Sequence, residues 1–357
     1  MSSFSFAIVG AGVIAPTHAK ALAAIPGAEL AAICDVDGEK AQRFAEEFGV
    51  PVRCWEEVVA DPGLDGVIVC TPSGTHADLT VRLLEAGKHV VVEKPMDISV
   101  QACDRILEAV TRSGRQFTVI SQHRFDPASQ EVEALVRSGR LGRIFGVEAR
   151  IPWFRTQAYY DSGDWRGTWA MDGGGCLMNQ GVHTLDLALW LGGAVRSVFA
   201  RTRQAIHQRI EVEDHLCATL EFESGAIGTL LASTAVYPGF PVRVEVFGTK
   251  GSAILEGDEV HTIAIEGEPE RRGKASAHAA HMASGGTREA TDRSRSELLA
   301  QASWVWGDAH RAQLADFVRA CREGRRPAIT GEDGRHAVAT IEAIYRSART
   351  GMVCEVD

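Results

Sequence analysis

The chain is predicted to be an α/β protein, with a doubly wound parallel sheet in its N-terminal third and a second, sheet-bearing domain after it. Three observations carry this expectation. A short apolar run at residues 6–9 closes on glycine and opens a helix. Strand-like and helix-like segments then alternate as far as residue 120, the sequence form of a parallel sheet. Finally, 357 residues exceed what one core organises, because single cores stop growing near about 250–300 residues.

Phe6-Ala-Ile-Val-Gly10 is the first strand, and Gly10-Ala-Gly12-Val13-Ile14-Ala15 follows it as G-x-G-x-x-A. This is the strand–turn–helix setting that a dinucleotide fingerprint requires. Gly10 permits the tight turn, and Gly12 lets the backbone approach a pyrophosphate. The amides of Val13 and Ile14 then face the phosphates at a helix N-terminus. The next strand, Leu30 to Cys34, ends in Asp35, about 20 residues past the glycines, where a carboxylate accepts hydrogen bonds from the adenosine ribose. A 2′-phosphate there meets a like charge, and Val36-Asp37-Gly38 supply no cation, so NAD is expected rather than NADP. The other reading of Asp35 is a cap on the helix that begins near Glu39.

Val67 to Thr71, Val90 to Val92 and Phe117 to Ile120 continue the alternation, the last counted as a sixth strand. Thr71, Pro72, His76, Glu93, Lys94 and Arg124 fall at or just beyond strand C-termini, the edge on which open α/β sheets bind ligands.

The domain boundary is placed near residues 123–125, giving a dinucleotide-binding domain over 1–123 and a second domain over 124–357. Within the latter, residues 147–153, 198–203, 214–222, 227–234 and 242–247 read as strands, separated by turns such as Ser224-Gly225 and Pro238-Gly239. A sheet with one face uncovered by helices marks an oligomer interface, so a homodimer or homotetramer is expected. Asp164-Trp165-Arg166-Gly-Thr-Trp169 offers a wall for a polyol and a fork for a carboxylate or phosphate, or else ordinary loop packing. After Gly173-Gly174-Gly175, an apolar stripe at Leu177, Val182, Leu185 and Leu189 predicts a helix from Cys176. It sets Asn179 and His183, four apart, on one face, with Asp186 three beyond. Residues 267–303 read as a long surface excursion, and its His278-x-x-His281 has no acidic or thiol neighbours to complete a metal site. Amphipathic helices over His310 to Cys321 and Gly334 to Ala348, then a strand over Val353 to Val356, end the chain.

A net charge of −10 argues against nucleic acid and anionic membranes as partners, since binders of either present a basic face. No apolar run approaches the about 20 residues of a membrane span, and the N-terminus leads into a strand without a basic, then apolar leader. Eight scattered cysteines without C-x-x-C read as reduced thiols of a cytoplasmic protein.

Taken together, Gly10-x-Gly12 with His18, Thr71-Pro72-x-x-x-His76, Glu93-Lys94-Pro95, Gly175 through His183-x-x-Asp186, and the C-terminal Gly331-Glu-Asp-Gly334 and Ile344-Tyr-x-Ser-Ala348 resemble the Gfo/Idh/MocA family over almost the whole chain. The resemblance implies a Rossmann domain followed by an α/β domain with an open, mostly antiparallel sheet. It also implies hydride transfer between a nicotinamide and a secondary alcohol or ketone of a sugar, sugar derivative, nucleotide sugar or cyclitol. Carried over by position, Lys94 is the family's lysine beside the substrate hydroxyl, Pro95 its often cis proline, and His183 its catalytic histidine. Arg124, Trp165, Arg166 and Asn179 are then expected on the substrate. In inositol dehydrogenase-like members an Asp stands where this chain has Asn179, and an Asp there raises the basicity of the imidazole. No metal is expected. The rival class is a non-catalytic cofactor-binding sugar sensor of the same fold, from which Lys94 and His183 would be dispensable.

Overall fold

A computed structural model describes residues 3–273 and 292–357, with side chains from residue 307 onward in the second stretch. His278 and His281 lie outside the described residues. The chain forms two units. The first runs to Gln122 and includes Ser303–Arg335, and the second comprises His123–Ala302 and His336–Asp357. Assigning all of 124–357 to one domain is therefore corrected. The physical reason lies in the helix Asp292–Glu323, whose Leu314, Phe317 and Val318 are buried with Phe6, Ile8 and Leu22 of the first unit. Amphipathicity announces that helix but not which core receives its apolar face.

In the first unit, β1 (Phe4–Val9), β2 (Ala28–Cys34), β3 (Gly66–Val69), β4 (His89–Val92) and β5 (Phe117–Val119) form a parallel sheet of order β2-β1-β3-β4-β5. Every residue of β1 and β3 is buried, because helices cover both faces, which is why these strands read as unbroken apolar runs. The sheet has five strands, the five segments named from sequence, so numbering Phe117 to Ile120 a sixth is corrected. Outside β2 stands only a bridge, Ile33↔Val52, where Pro51 has no N–H with which to extend a ladder.

In the second unit, β6 (Ile144–Pro152), β7 (Val195–Arg203), β8 (His215–Phe222), β9 (Ile227–Ser233), β10 (Arg243–Gly248), β11 (Gly251–Glu256), β12 (Glu259–Ile265), β13 (Arg271–Arg272) and β14 (Cys354–Glu355) form a nine-stranded sheet. Its order is β13-β12-β11-β10-β6-β9-β8-β7-β14, with every pairing antiparallel except β6 with β9. Helices Pro127–Arg137 and Val182–Gly192 pack on one face through Val132, Leu135, Leu185 and Leu189. The other face carries Cys217, Thr219, Ile227 and Thr229, all exposed. Three strands, β11 to β13, lie beyond those expected, and β13 falls within the segment read as an excursion. No described helix is long and apolar enough to cross a membrane.

Candidate active site residues

In the first unit the glycine loop behaves as its spacing demands. Gly10 has φ +100°, and a side chain there would meet the Cys70 carbonyl oxygen at 2.5 Å. At Gly12 the nearest atom to an added Cβ is 3.9 Å away, so the protein itself does not fill that space. The room fits a pyrophosphate against the backbone of Val13 and Ile14, ahead of the helix Ala15–Ala23. Val13 is 92% exposed at the loop tip.

Asp35 accepts hydrogen bonds from the Ala11 amide (2.6 Å) and the Asp37 amide (2.7 Å), tying the end of β2 to the glycine loop. The helix Gly38–Phe48 is capped by Asp37, which accepts from the Glu39 and Lys40 amides, both at 3.1 Å. Asp35 is thus not the cap. Beside it Val36 is fully exposed, and no Arg or Lys occupies the turn.

Past β3, the Thr71 hydroxyl lies 2.7 Å from that of Thr75, and Pro72 precedes the 3₁₀ turn Ser73–Thr75. Buried His76 spans two carbonyls, Thr71 O and Pro95 O, each at 2.9 Å from a ring nitrogen. It thereby clamps the turn that carries Lys94, whose bond to Pro95 is cis. Glu93 accepts from the Lys94 amide (3.1 Å) and meets His18 Nε2 at 2.7 Å. His310 stands edge-on to His18 with ring centres 5.3 Å apart, and all three residues are buried. Burial opposes charge on Glu93, but the His18 hydrogen bond and the nearby His18, His310 and Lys94 outweigh it. The carboxyl is held well below the usual range. Sequence reading placed His310 only on an amphipathic helix, since nothing local reveals that it faces Glu93.

In the second unit the triple glycine has a packing cause. A Cβ on Gly175 would sit 1.7 Å from the Glu213 carbonyl oxygen. Buried Glu213 accepts from the Gly175 amide (3.0 Å), the Leu177 amide (3.1 Å) and the Tyr345 hydroxyl (2.9 Å), fixing the turn. Burial pushes its carboxyl pKa up. The residues that follow, Cys176–Gly181, form a π-helical turn, and the α-helix begins only at Val182. The single α-helix expected from Cys176 is corrected accordingly, and the inserted π turn displaces Asn179 from simple i, i+4 alignment with His183.

Asn179 donates to Asp172 and accepts from Gln180 Nε2 (2.8 Å) and the Tyr159 hydroxyl (3.4 Å). Half-buried His183 meets His123 edge-on, with ring centres 5.3 Å apart. His123 Nδ1 lies 2.7 Å from Asp126 Oδ2, and the hydrogen bond and charge of Asp126 outweigh burial to raise its pKa. Asp186, expected within reach of His183, is gripped by Arg124 through two bonds of 2.8 and 2.6 Å. Arg124, expected on the substrate, is buried in that pair and lies 5.6 Å from the Trp190 ring centre. Arg166 stacks on Trp165 and Tyr159, each ring centre 4.4 Å from its guanidinium carbon. Tyr159, Asp172, Gln180, His123 and Glu213 were missed because contacts rather than a motif place them, as with Gln180 on Tyr159, Asn179 on Asp172, His123 on His183 and Tyr345 on Glu213.

A Rossmann unit with a cofactor-ready loop, joined to a sheet unit that presents a histidine, defines a nicotinamide-dependent oxidoreductase. Comparison supplies the family. Residues 4–121 match the model for the oxidoreductase family with NAD-binding Rossmann fold, and residues 129–254 match the GFO/IDH/MocA C-terminal domain. The chain belongs to this family and is an NAD-dependent oxidoreductase. Among solved structures it is similar to the WlbA dehydrogenase of Bordetella pertussis in complex with NADH and UDP-GlcNAcA, at 30% identity and TM-score 0.85, covering 100% of this chain and 98% of that one. It is also similar to aldose-aldose oxidoreductase of Caulobacter crescentus, at 27% identity and TM-score 0.81, covering 99% of each chain. Among sequence relatives, scyllo-inositol 2-dehydrogenase (NAD(+)) of Bacillus subtilis is 28% identical, over 98% of this chain and 96% of that protein.

Proposed function

We propose that this enzyme moves a hydride between the nicotinamide and a secondary alcohol or ketone of a sugar, sugar derivative, nucleotide sugar or cyclitol. The observation that carries the reading is the construction around Lys94. Its turn is clamped by His76 and its amide bonded to Glu93, which fixes a cation at the ligand-binding edge of the sheet. Gly10, Gly12, Val13, Ile14 and Asp35 would hold the dinucleotide, with Thr71 and Pro72 beside it. When bound, the nicotinamide supplies the hydride acceptor or donor. In oxidation, His183 takes the hydroxyl proton as general base. The Lys94 ammonium hydrogen-bonds the same oxygen and stabilises its developing negative charge. In reduction the roles reverse, and His183 returns the proton.

The names of its relatives support this class, since they include inositol, aldose and nucleotide-sugar oxidoreductases. We further propose that the protein works in the cytoplasm as a homodimer or homotetramer assembled through the uncovered face of the nine-stranded sheet. Neither a nucleic acid nor a membrane is a partner on this reading. Following NADH absorbance against a panel of sugars, sugar acids, cyclitols and nucleotide sugars tests the activity. Saturable turnover of at least one is expected, and NAD binding without turnover of any would contradict it.

A further inference from the structure

Two consecutive residues of the 3₁₀ turn Gln122–Phe125 grip the helix Val182–Gly192. Arg124 holds Asp186 through two bonds of 2.8 and 2.6 Å and lies 5.6 Å from the Trp190 ring centre. His123 meets His183 edge-on, with ring centres 5.3 Å apart and ring planes at 89°. The turn therefore touches the helix at positions 183, 186 and 190, spacings of three and four that follow one helical face. This grip starts at the residue to which the mechanism gives the substrate proton.

The His123 ring is itself held. Its Nδ1 lies 2.7 Å from Oδ2 of Asp126, three residues on. Asp126 is the N-cap residue of the helix Pro127–Arg137, where an Asp side chain ordinarily accepts from the first backbone amides. Here it makes no cap hydrogen bond and turns to the imidazole instead.

A charge on His123 bears on His183 as well. Burial opposes protonation of His123, but the Asp126 hydrogen bond and charge, with the charges of Asp258 and Asp186, outweigh it and raise its pKa. Asp258 stands in the turn between β11 and β12, and Asp186 is the partner of Arg124. Two adjacent imidazoles resist carrying a proton each, because like charge disfavours the second. A cation favoured on His123 favours the neutral form of His183, the form a general base needs before it accepts a proton.

Resting on the oxidoreductase reading above, we propose that His123, oriented by Asp126, is a positioning residue for the reaction: it sets the plane of the His183 imidazole and places a second imidazole against it. His123 acts through His183 and takes no proton from the substrate itself.

Diethyl pyrocarbonate acylates unprotonated imidazole. Its rate at His183 against pH, read by mass spectrometry on the NAD-loaded protein, gives the midpoint of that residue without any substrate. Removing a unit charge at the 5.3 Å ring separation should raise the midpoint by about 0.5–2 pH units in His123→Gln. Asp126→Asn, which keeps an acceptor for Nδ1 but takes the charge away, should move it the same way by less. On a substrate found in the panel, His123→Gln should lose about tenfold in kcat through misplacement of the base, with NAD affinity unchanged. Should His123→Gln fail to fold, the midpoint in Asp126→Asn decides. An unchanged His183 midpoint in both variants, or a loss of thermal stability as the sole effect, overturns the proposal. If the intact protein turned over no sugar, the hydride-transfer reading would fall while the acylation midpoint still decided the role of His123.

Discussion

Glu93 Oε1 lies 2.7 Å from His18 Nε2, with both residues buried and the backbone amide of Lys94 on the other carboxylate oxygen. The helix that follows the glycine loop is thereby tied to the turn that presents Lys94. Removing the hydrogen-bond partner of a buried carboxylate leaves that charge uncompensated, so His18→Leu should cost about 3–5 kcal/mol in urea unfolding at pH 7. Glu93→Gln, which takes the buried carboxylate charge away, should cost less. Because the folded-state pKa of Glu93 is depressed, its contribution is present above the unfolded value of about 4.3 and is lost as pH falls below it. Equal losses for the two variants would contradict this account of the pair.

A second pH effect has its source in His89. Burial, with the Arg115 charge, lowers its pKa to about 4, and its Nδ1 accepts from the Gln116 amide at 2.9 Å. Between about pH 6.5 and 4 the unfolded chain binds a proton here that the folded chain refuses, so stability falls as pH falls. Going from pH 7 to 5 should cost up to about 2 kcal/mol by this route. Thermal unfolding of His89→Gln should show a shallower slope over that window, and an unchanged slope would assign the effect elsewhere.

Cofactor choice follows from Asp35. With Asp35 proposed at the ribose position and no Arg or Lys in the turn beside it, NAD should bind at least about tenfold more tightly than NADP, about 1.4 kcal/mol. Asp35→Ala should narrow the gap. Since Asp35 also holds the Ala11 amide, the variant should weaken NAD binding itself. Fluorescence titrations giving equal affinities for the intact protein would overturn the assignment.

How much of this was legible depends on how local each signal is. The glycine loop, Asp35 and the strand ends carrying Thr71, Glu93 and Lys94 follow from spacing within about 20 residues, and the sequence placed them correctly on the fold. The π turn at Cys176–Gly181 is set by Glu213, which lies 36 residues beyond Leu177 and accepts its amide. The Arg124–Asp186 pair spans 62 residues, and its bonds hold two groups that sequence had aimed at the substrate and at His183. Helical periodicity sees neither. The same limit applies to Leu314 and Phe317, whose apolar stripe was evident while its destination in the first unit was not.

Position 179 shows how a contact revises an expectation. From sequence, Asp there would make His183 a stronger base. In the structure the Asn179 amide donates to Asp172, so an Asp at 179 would set two carboxylates against each other and one would take up a proton. Asn179→Asp should therefore lower kcat rather than simply shift the acidic limb of the pH–rate profile, where a general base takes up its proton. Unchanged kcat with a shifted limb would restore the simpler expectation.

Assembly is tested by light scattering at micromolar concentration. A dimer or tetramer is expected, and Ile227→Glu, at a site 68% exposed on the uncovered sheet face, should dissociate it. A monomer in the intact protein would contradict the assembly.

The central claim is that Lys94 and His183 handle the proton while the nicotinamide handles the hydride. The direct measurement is steady-state NAD reduction by Lys94→Ala and His183→Ala, with a substrate identified in the panel, alongside NAD affinity. A positioned acid–base group contributes about 10²–10⁴-fold. Each variant should lose kcat by about that factor while NAD affinity stays nearly unchanged. Full activity in His183→Ala would contradict the account and pass the role of base to Lys94.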